Sequence, residues 1–373
     1  MKVVHLIYSF NPGGVEMFLS QLTSALSPTG VETHFISFFD GPLRQRVESA
    51  GAKVYVVGNI KLLKSTWHIF KLLKKICPDV VNNHMLIYSG MSAMMCRILR
   101  IPFILYSHST RKYDFNAAWI YKLLVNVSLF ISKRLQSKGI GVSIDACKYM
   151  WGEEYIAKNA EYVSLGIDFT PYRPQENSQM ASDLRDKWNI PADYSVVANV
   201  AGYRPPKNYS LFINVAAEIL KHNPKVRFLM IGEGSERIKM ETLIRQYEIE
   251  DACILTGFVS NVPDILKSVV DVFLFPSNFE GLGLALVEAQ AAGVPCVYSD
   301  KVPEEAVIMP SICRAIGLNA PIEDWSDAII QKISGQKILP VNKEVAYKIA
   351  LSSTFNIQKT VNTYIRIWNS LKK

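Results

Sequence analysis

The chain has 373 residues, 49% of them hydrophobic and 20% charged, which excludes disorder over any long span and exceeds what a single core comfortably fills. Its net charge of +8 lies entirely in the first half: residues 1–165 hold nineteen Lys and Arg against ten Asp and Glu, while the remainder is near balance. An anionic partner is therefore expected for that half. The six cysteines are scattered, with no C-x-x-C pair and no histidines at metal spacing. That usage fits a reducing compartment, so a cytoplasmic location is expected.

The chain opens with "MKVVHLIYSFNPGG", which alternates like a strand and lacks the small-residue cleavage site of a signal peptide. Further β-branched or aromatic runs follow in the first half: "THFISFF", "KVYVV", "DVVNN" and "PFILYS". Between them, "KLLKSTWHIFKLLKKI" (61–76) predicts a helix with Lys61, Lys64, Lys71, Lys74 and Lys75 on one arc beside Trp67 and His68. Leu63, Ile69, Phe70, Leu72, Leu73 and Ile76 take the opposite arc. "AAWIYKLLVNVSLFIS" (117–132) is the longest apolar stretch, too short to span a bilayer but with apolar residues to spare on a second face.

Gly, Pro, Asn, Gln and Ser cluster at 164–180 and mark a boundary. The rhythm then resumes with "SVVANVA", "VRFLMIG", "ACILTG", "VDVFLFP" and "VPCVYS". Near-continuous apolar strands alternating with helices predict parallel sheets covered on both faces, hence two Rossmann-like, doubly wound α/β domains. The expected division is an N-terminal domain 1–165, a linker region 166–190, a second domain 191–350 and a C-terminal amphipathic helix within 351–373 that packs back on the first domain. Two such domains facing each other would place two sets of strand ends around one central cleft.

The chemistry-bearing residues fall at strand ends. Gly13 and Gly14 follow the first strand and open a helix, an arrangement that lets backbone approach an anion. In "FPSNFEGLGLALVEAQAAGVP" (275–295), a buried strand ends at Pro276 and a helix begins near Leu282 or Gly283. Glu280 then lies in the loop, Glu288 lies one to two turns into the helix, and the amides of Gly281, Leu282 and Gly283 open toward a phosphate. Two carboxylates flanking an anion site suit hydroxyl groups on either side of that anion, as in a sugar, a diphosphate and a ribose in line. Arg204 and Lys207, just after "NVAG", supply cations for such a diphosphate. Gly232 in "IGEG", and Gly257 with Phe258 in "LTGF", add two more strand ends on the same side.

These motifs resemble the GT4 family of retaining glycosyltransferases with GT-B architecture, whose hallmark E-x7-E pair is matched by Glu280 and Glu288. The resemblance covers most of the chain, through "GGVE", "VGVS", "LGID", "IGEG", "LTGF" and the 275–295 segment. It implies that Glu280 contacts the donor sugar, Glu288 the ribose hydroxyls and Lys207 the diphosphate, assisted by the Gly281 to Gly283 amides. Gly13 and Gly14 would approach donor phosphate and acceptor, and His108 in "FILYSHST" the donor sugar. The family arginine would align with Gly202, two positions before Arg204, so Arg204 reaches the same phosphate only by a different path.

No D-x-D occurs in the chain, so no metal is assigned and leaving-group charge falls to Lys207, Arg204 and helix amides. The expectation is metal-independent, retaining transfer from a nucleotide sugar, commonly a UDP-sugar, to a glycan acceptor that is lipid-linked. The enzyme would be a hexosyl- or N-acetylhexosaminyltransferase of bacterial cell-surface polysaccharide synthesis, peripheral at the inner face of the membrane through its basic half. Two competing readings are a GT-B sugar-nucleotide epimerase and a noncatalytic partner of another glycosyltransferase. Nucleic-acid binding lacks any recognition motif.

Overall fold

Strands that read as unbroken apolar runs must be covered on both faces, and two separate parallel sheets meet that requirement here. The computed structural model describes residues 1–58, 62–110, 118–175, 178–338 and 341–372. The chain divides into two units, 1–167 together with 354–373, and 168–353.

The first unit runs β1 (Lys2–Ile7), α1 (Gly14–Leu26), β2 (Glu32–Ser37), α2 (Leu43–Ser49), β3 (Lys53–Val56), α3 (Leu62–Ile76) and β4 (Val80–Asn83). It continues through α4 (Ser89–Leu99), β5 (Phe103–Ser107), α5 (Trp119–Leu135), β6 (Lys138–Gly141), α6 (Ile144–Trp151) and β7 (Ala160–Tyr162). Its sheet order is β3-β2-β1-β4-β5-β6-β7, with every pairing parallel. The winding direction reverses between β1 and β4, the position at which open sheets of this kind meet ligands.

β6 carries little strand signal, because "KGIG" is half glycine, and β7 is only three residues long. Side chains on those glycines would collide with the Trp151 ring and with Cys147, so the strand pattern is sacrificed to let α6 pack closely.

The second unit runs α7 (Ser178–Lys187), β8 (Ser195–Val200), α8 (Tyr209–His222), β9 (Val226–Ile231), α9 (Arg237–Gln246), β10 (Cys253–Leu255), α10 (Val262–Ser268) and β11 (Val272–Phe275). Then come α11 (Leu284–Ala291), β12 (Cys296–Ser299), β13 (Cys313–Ile316), α12 (Ile322–Ile338) and α13 (Lys343–Ser352). The sheet order is β10-β9-β8-β11-β12-β13, again parallel, with the reversal between β8 and β11. Alternation along β8 covers both faces: Val197 joins the core with Phe212 and Trp325, whereas Val196 and Ala198 join the one with Leu184 and Ile265. Residues 166–190, expected as a linker, contain α7, which packs on α10. The chain crosses between units at 167–168 and again at 353–354.

The final helix, α14 (Ile357–Leu371), buries Ile357, Val361, Tyr364, Ile367 and Trp368 within the first unit. Trp368 Nε1 donates to Asn82 Oδ1 at 3.2 Å, and Tyr106 Oη donates to the same oxygen at 3.0 Å. A buried indole is tolerated because its N–H finds this acceptor at the tip of β4.

In α3, Ile69, Leu73 and Ile76 are buried, and Lys64, Lys71, Lys74 and Lys75 are exposed, as expected for an amphipathic helix. Trp67 is 58% exposed, with Lys71 Nζ 5.3 Å from its ring centre. Lys61 and the Leu63 side chain lie outside the described residues, as does Ala117. α5 turns Val125, Ser128, Leu129 and Ser132 inward. Its other face leaves Trp119, Ile120, Leu123, Leu124, Val127 and Phe130 exposed.

Candidate functional site

In the second unit, the residues singled out in the sequence collect at the β8/β11 reversal. β8 leads through Gly202 and Arg204 into a single 3-10 turn, Pro205–Lys207. β11 leads into the 276–283 loop, which is tied to that turn by Asn278 N–H donating to Pro206 O at 2.7 Å. Lys207 Nζ is thereby held at 2.6 Å from Glu280 Oε1 and 2.8 Å from Oε2. Ser277 Oγ donates to the same carboxylate at 2.7 Å, and Ser299 Oγ donates to the Ser277 carbonyl at 2.5 Å. Glu280 is 8% exposed, so its charge is matched by a lysine and a hydroxyl, as a buried carboxylate requires.

Glu288, expected beside the same ligand, has a different partner. It stands at the fifth position of α11, half-buried, and accepts a 2.9 Å hydrogen bond from Tyr172 Oη. Burial pushes its carboxyl up to about 7, and the tyrosine hydroxyl partly opposes that rise. The Tyr172 phenol is pushed well upward by the same burial and by the facing carboxylate. Sequence reading missed Tyr172, which precedes its partner by 116 positions.

The helix starts at Leu284, slightly later than expected, with Gly283 as a left-handed cap at φ 92°. A Cβ there would press within 3.0 Å of Val302, so the position requires glycine both for conformation and for space. Leu282 is 3% exposed and offers only its backbone, while Gly281 is half-buried.

Arg204 is exposed, and its side chain curls back toward position 202: a Cβ on Gly202 would lie 3.7 Å from Arg204 Nε. Gly232 and Gly257 bridge each other, Gly232 N–H donating to Gly257 O at 3.1 Å, and a Cβ on Gly232 would strike the Ala201 carbonyl. Gly232 therefore has a packing reason to be there, and Gly257 a conformational one, its φ of 69° lying in the left-handed region. Phe258, next in the chain, is 59% exposed.

In the first unit Gly13 is the N-cap of α1, extended at φ −156°, and open space surrounds the Cβ position of Gly14. A Cβ on Gly13 would collide with the Glu16 carboxylate, so an acidic side chain already sits at this helix start. His108 lies at the tip of β5 and is hydrogen-bonded to His84, a neighbour that sequence reading overlooked. Among the described residues no group of three His, Cys, Asp or Glu is placed to hold a metal ion, and no helix is long and apolar enough to cross a membrane.

Each lobe is an open parallel sheet of the doubly wound kind, and the polar cluster of the second stands at its reversal point, where such sheets meet ligands. Residues 12–143 match the family described as Glycosyltransferase Family 4, and residues 180–348 match Glycosyl transferases group 1. The chain belongs to this GT4 family of GT-B glycosyltransferases. It is 24% identical over 373 residues to the Bacillus subtilis protein EpsF, covering 97% of this chain and 96% of that one. It is 23% identical over 377 residues to an Escherichia coli enzyme named UDP-Gal:alpha-D-GlcNAc-diphosphoundecaprenol alpha-1,3-galactosyltransferase, covering 97% and 95%. Among solved structures, Anabaena HepE in complex with UDP and glucose shares the fold, with a TM-score of 0.85 at 18% identity over 99% of this chain and 100% of that one.

Proposed function

We propose that this glycosyltransferase moves a hexosyl or N-acetylhexosaminyl group from a UDP-sugar to a lipid-linked glycan, with retention of configuration and without a metal, in bacterial cell-surface polysaccharide synthesis. The observation that carries the reading is the Lys207–Glu280 pair at the β8/β11 reversal. It offers a cation to a departing diphosphate and a carboxylate to sugar hydroxyls at one point. Arg204, whose side chain passes near Gly202, is assigned as a second cation for the diphosphate. Retention and metal independence rest on the family resemblance and the lack of a D-x-D. On the family resemblance, Gly13 and Gly14 are assigned to donor phosphate and acceptor, and His108 to the donor sugar.

The acceptor class is supported by the name of the E. coli relative, whose acceptor is a diphosphoundecaprenol-linked sugar, and by the surface of the first unit. The apolar face of α5 and the lysine face of α3 with its exposed Trp67 suit an anionic bilayer surface. Replacing Leu123 and Phe130 by Asp should reduce sedimentation with anionic phospholipid vesicles by about 10-fold, leaving the melting temperature unchanged. Equal sedimentation of both proteins would refute the membrane assignment.

Ribose hydroxyls donate hydrogen bonds to an ionised carboxylate, so UDP affinity should climb as pH rises through about 7, where Glu288 loses its proton. Tyr172→Phe removes the bond that holds that value down and should shift the midpoint upward by about one unit, as read by titration calorimetry between roughly pH 6 and 9. Glu288→Gln should flatten the profile. An unshifted midpoint in Tyr172→Phe would separate the tyrosine from the nucleotide site.

The test of the whole reading is incubation with a panel of nucleotide sugars and a membrane extract, following nucleotide release and sugar incorporation into lipid without added metal and with chelator present. Epimerisation of the donor without transfer would overturn it.

A further inference from the structure

Three imidazoles form one hydrogen-bonded row across the reversal point of the first sheet. His5 lies within β1, His84 just beyond β4 and His108 just beyond β5. His5 Nδ1 is 3.0 Å from His84 Nε2, and His84 Nδ1 is 2.7 Å from His108 Nε2. Aromatic rings fix the ring planes: His5 stacks on Phe35 at 5.2 Å, and Tyr106 lies 4.3 Å from His84 and 5.5 Å from His108. Two nitrogens remain, His5 Nε2 and His108 Nδ1, both buried and without a hydrogen-bond partner among the described residues.

Proton counting leaves two arrangements. Each neutral ring carries one N–H, and each of the two bonds needs a proton between its nitrogens. The third proton must therefore sit at one end, on His5 Nε2 or on His108 Nδ1, and the choice fixes all three tautomers together. His5 is 1% exposed, enclosed by Phe35 and the edge-on Trp368 ring. Neither end nitrogen has a partner among the described residues, and a buried N–H with no acceptor is costliest where no ligand can arrive to supply one. His108 is half-buried at a strand tip, where ligands of such sheets are met. The proton belongs at that end.

We propose that His5 and His84 are positioning residues that lock His108 as its Nδ1–H tautomer, making it a neutral hydrogen-bond donor toward a hydroxyl oxygen of a bound sugar. The part played by the sugar rests on the transfer reaction proposed above, whereas the tautomer lock does not. Burial pushes all three imidazoles below the usual histidine range, which keeps the row uncharged. His84 must accept on one nitrogen and donate from the other. Asn in its place retains a donor toward His108, and Leu retains none.

Long-range ¹H–¹⁵N correlation on the full chain with ¹⁵N-labelled imidazoles reads the tautomers in the absence of ligand. His108 is expected with a protonated-type Nδ1 and an unprotonated Nε2, and assignment follows from the His108→Gln spectrum. His84→Leu should release the proton to Nε2 and lower kcat by about 10-fold, the scale seen when partners of ligating histidines are removed. The donor KM should change by less than about threefold. His84→Asn should keep both the tautomer and kcat near wild type, with melting temperatures establishing that both variants fold. A wild-type His108 protonated on Nε2, or His84→Leu matching His84→Asn in kcat, would overturn the proposal. A chain that shows the Nδ1–H tautomer but consumes no nucleotide sugar keeps the lock and removes the transferase reading instead.

Discussion

Lys207→Met is expected to lower kcat/KM for transfer by about 100-fold or more and to destabilise the second unit by roughly 2–3 kcal/mol. Both effects come from one geometry. Glu280 is 8% exposed and loses the ammonium that bonds both of its carboxylate oxygens, so a buried ionised carboxylate is left with its nearest opposite charge removed. Glu280→Gln is the asymmetric counterpart. Its orphan, Lys207, has a side chain 24% exposed and can turn to water, so the stability cost should be about 1 kcal/mol. Because the cost lies in the orphaned charge, the double variant should be more stable than Lys207→Met alone, a coupling measurable by urea unfolding. Catalysis should not recover with it, since neither group remains to meet the ligand. Transfer by Lys207→Met within about threefold of wild type would detach the pair from the chemistry.

That pair was legible in the sequence because both members stand at strand tips, and the strands that carry them are long apolar runs. Given a reversal between β8 and β11, the loops after "SVVANV" and "VFLF" must be neighbours, which is where Lys207 and Glu280 stand. The weak strands were not legible for a physical reason. In β6 the glycines serve α6, and in β13, "CRAI", exposed positions at Arg314 and Ala315 replace the apolar run of a central strand. Tyr172 was hidden differently, since nothing in "FTPYRP" distinguishes a turn tyrosine from one aimed at a carboxylate 116 positions later. His5 and His84 read as a strand residue and a strand end. Only the parallel pairing of β1 with β4, and of β4 with β5, brings them into one row with His108. A histidine inside a buried strand was the available signal, because an imidazole there must find a partner.

The same row governs acid stability. His5 and His108 are held down to about 3 and about 4 by burial, and His84 is lowered well below its usual value for the same reason, reinforced by its two imidazole neighbours. In the unfolded chain each takes up a proton near pH 6.5. Below that pH the unfolded state binds more protons, so the first unit loses stability as pH falls from about 6.5 toward about 4 and is insensitive to the row above it. Each of His5 and His108 should contribute about 1.4 kcal/mol of loss per pH unit in that window, with His84 acting in the same direction.

Glu288 carries the opposite sign in the second unit. Raised to about 7 by burial, it binds protons in the folded state that the unfolded chain releases near pH 4.5, so it favours folding at low pH. The two units should therefore part company on acidification, the first melting earlier at about pH 5.5 than at pH 7.5 while the second holds. Differential scanning calorimetry at those two values reads this as a single transition resolving into two. His5→Phe replaces a titrating ring by one that does not titrate and should flatten the low-pH slope of the first transition by about 1.4 kcal/mol per unit. A first transition with the same midpoint at both pH values would mean that the imidazoles can protonate in the folded state, and the row would then be open to water.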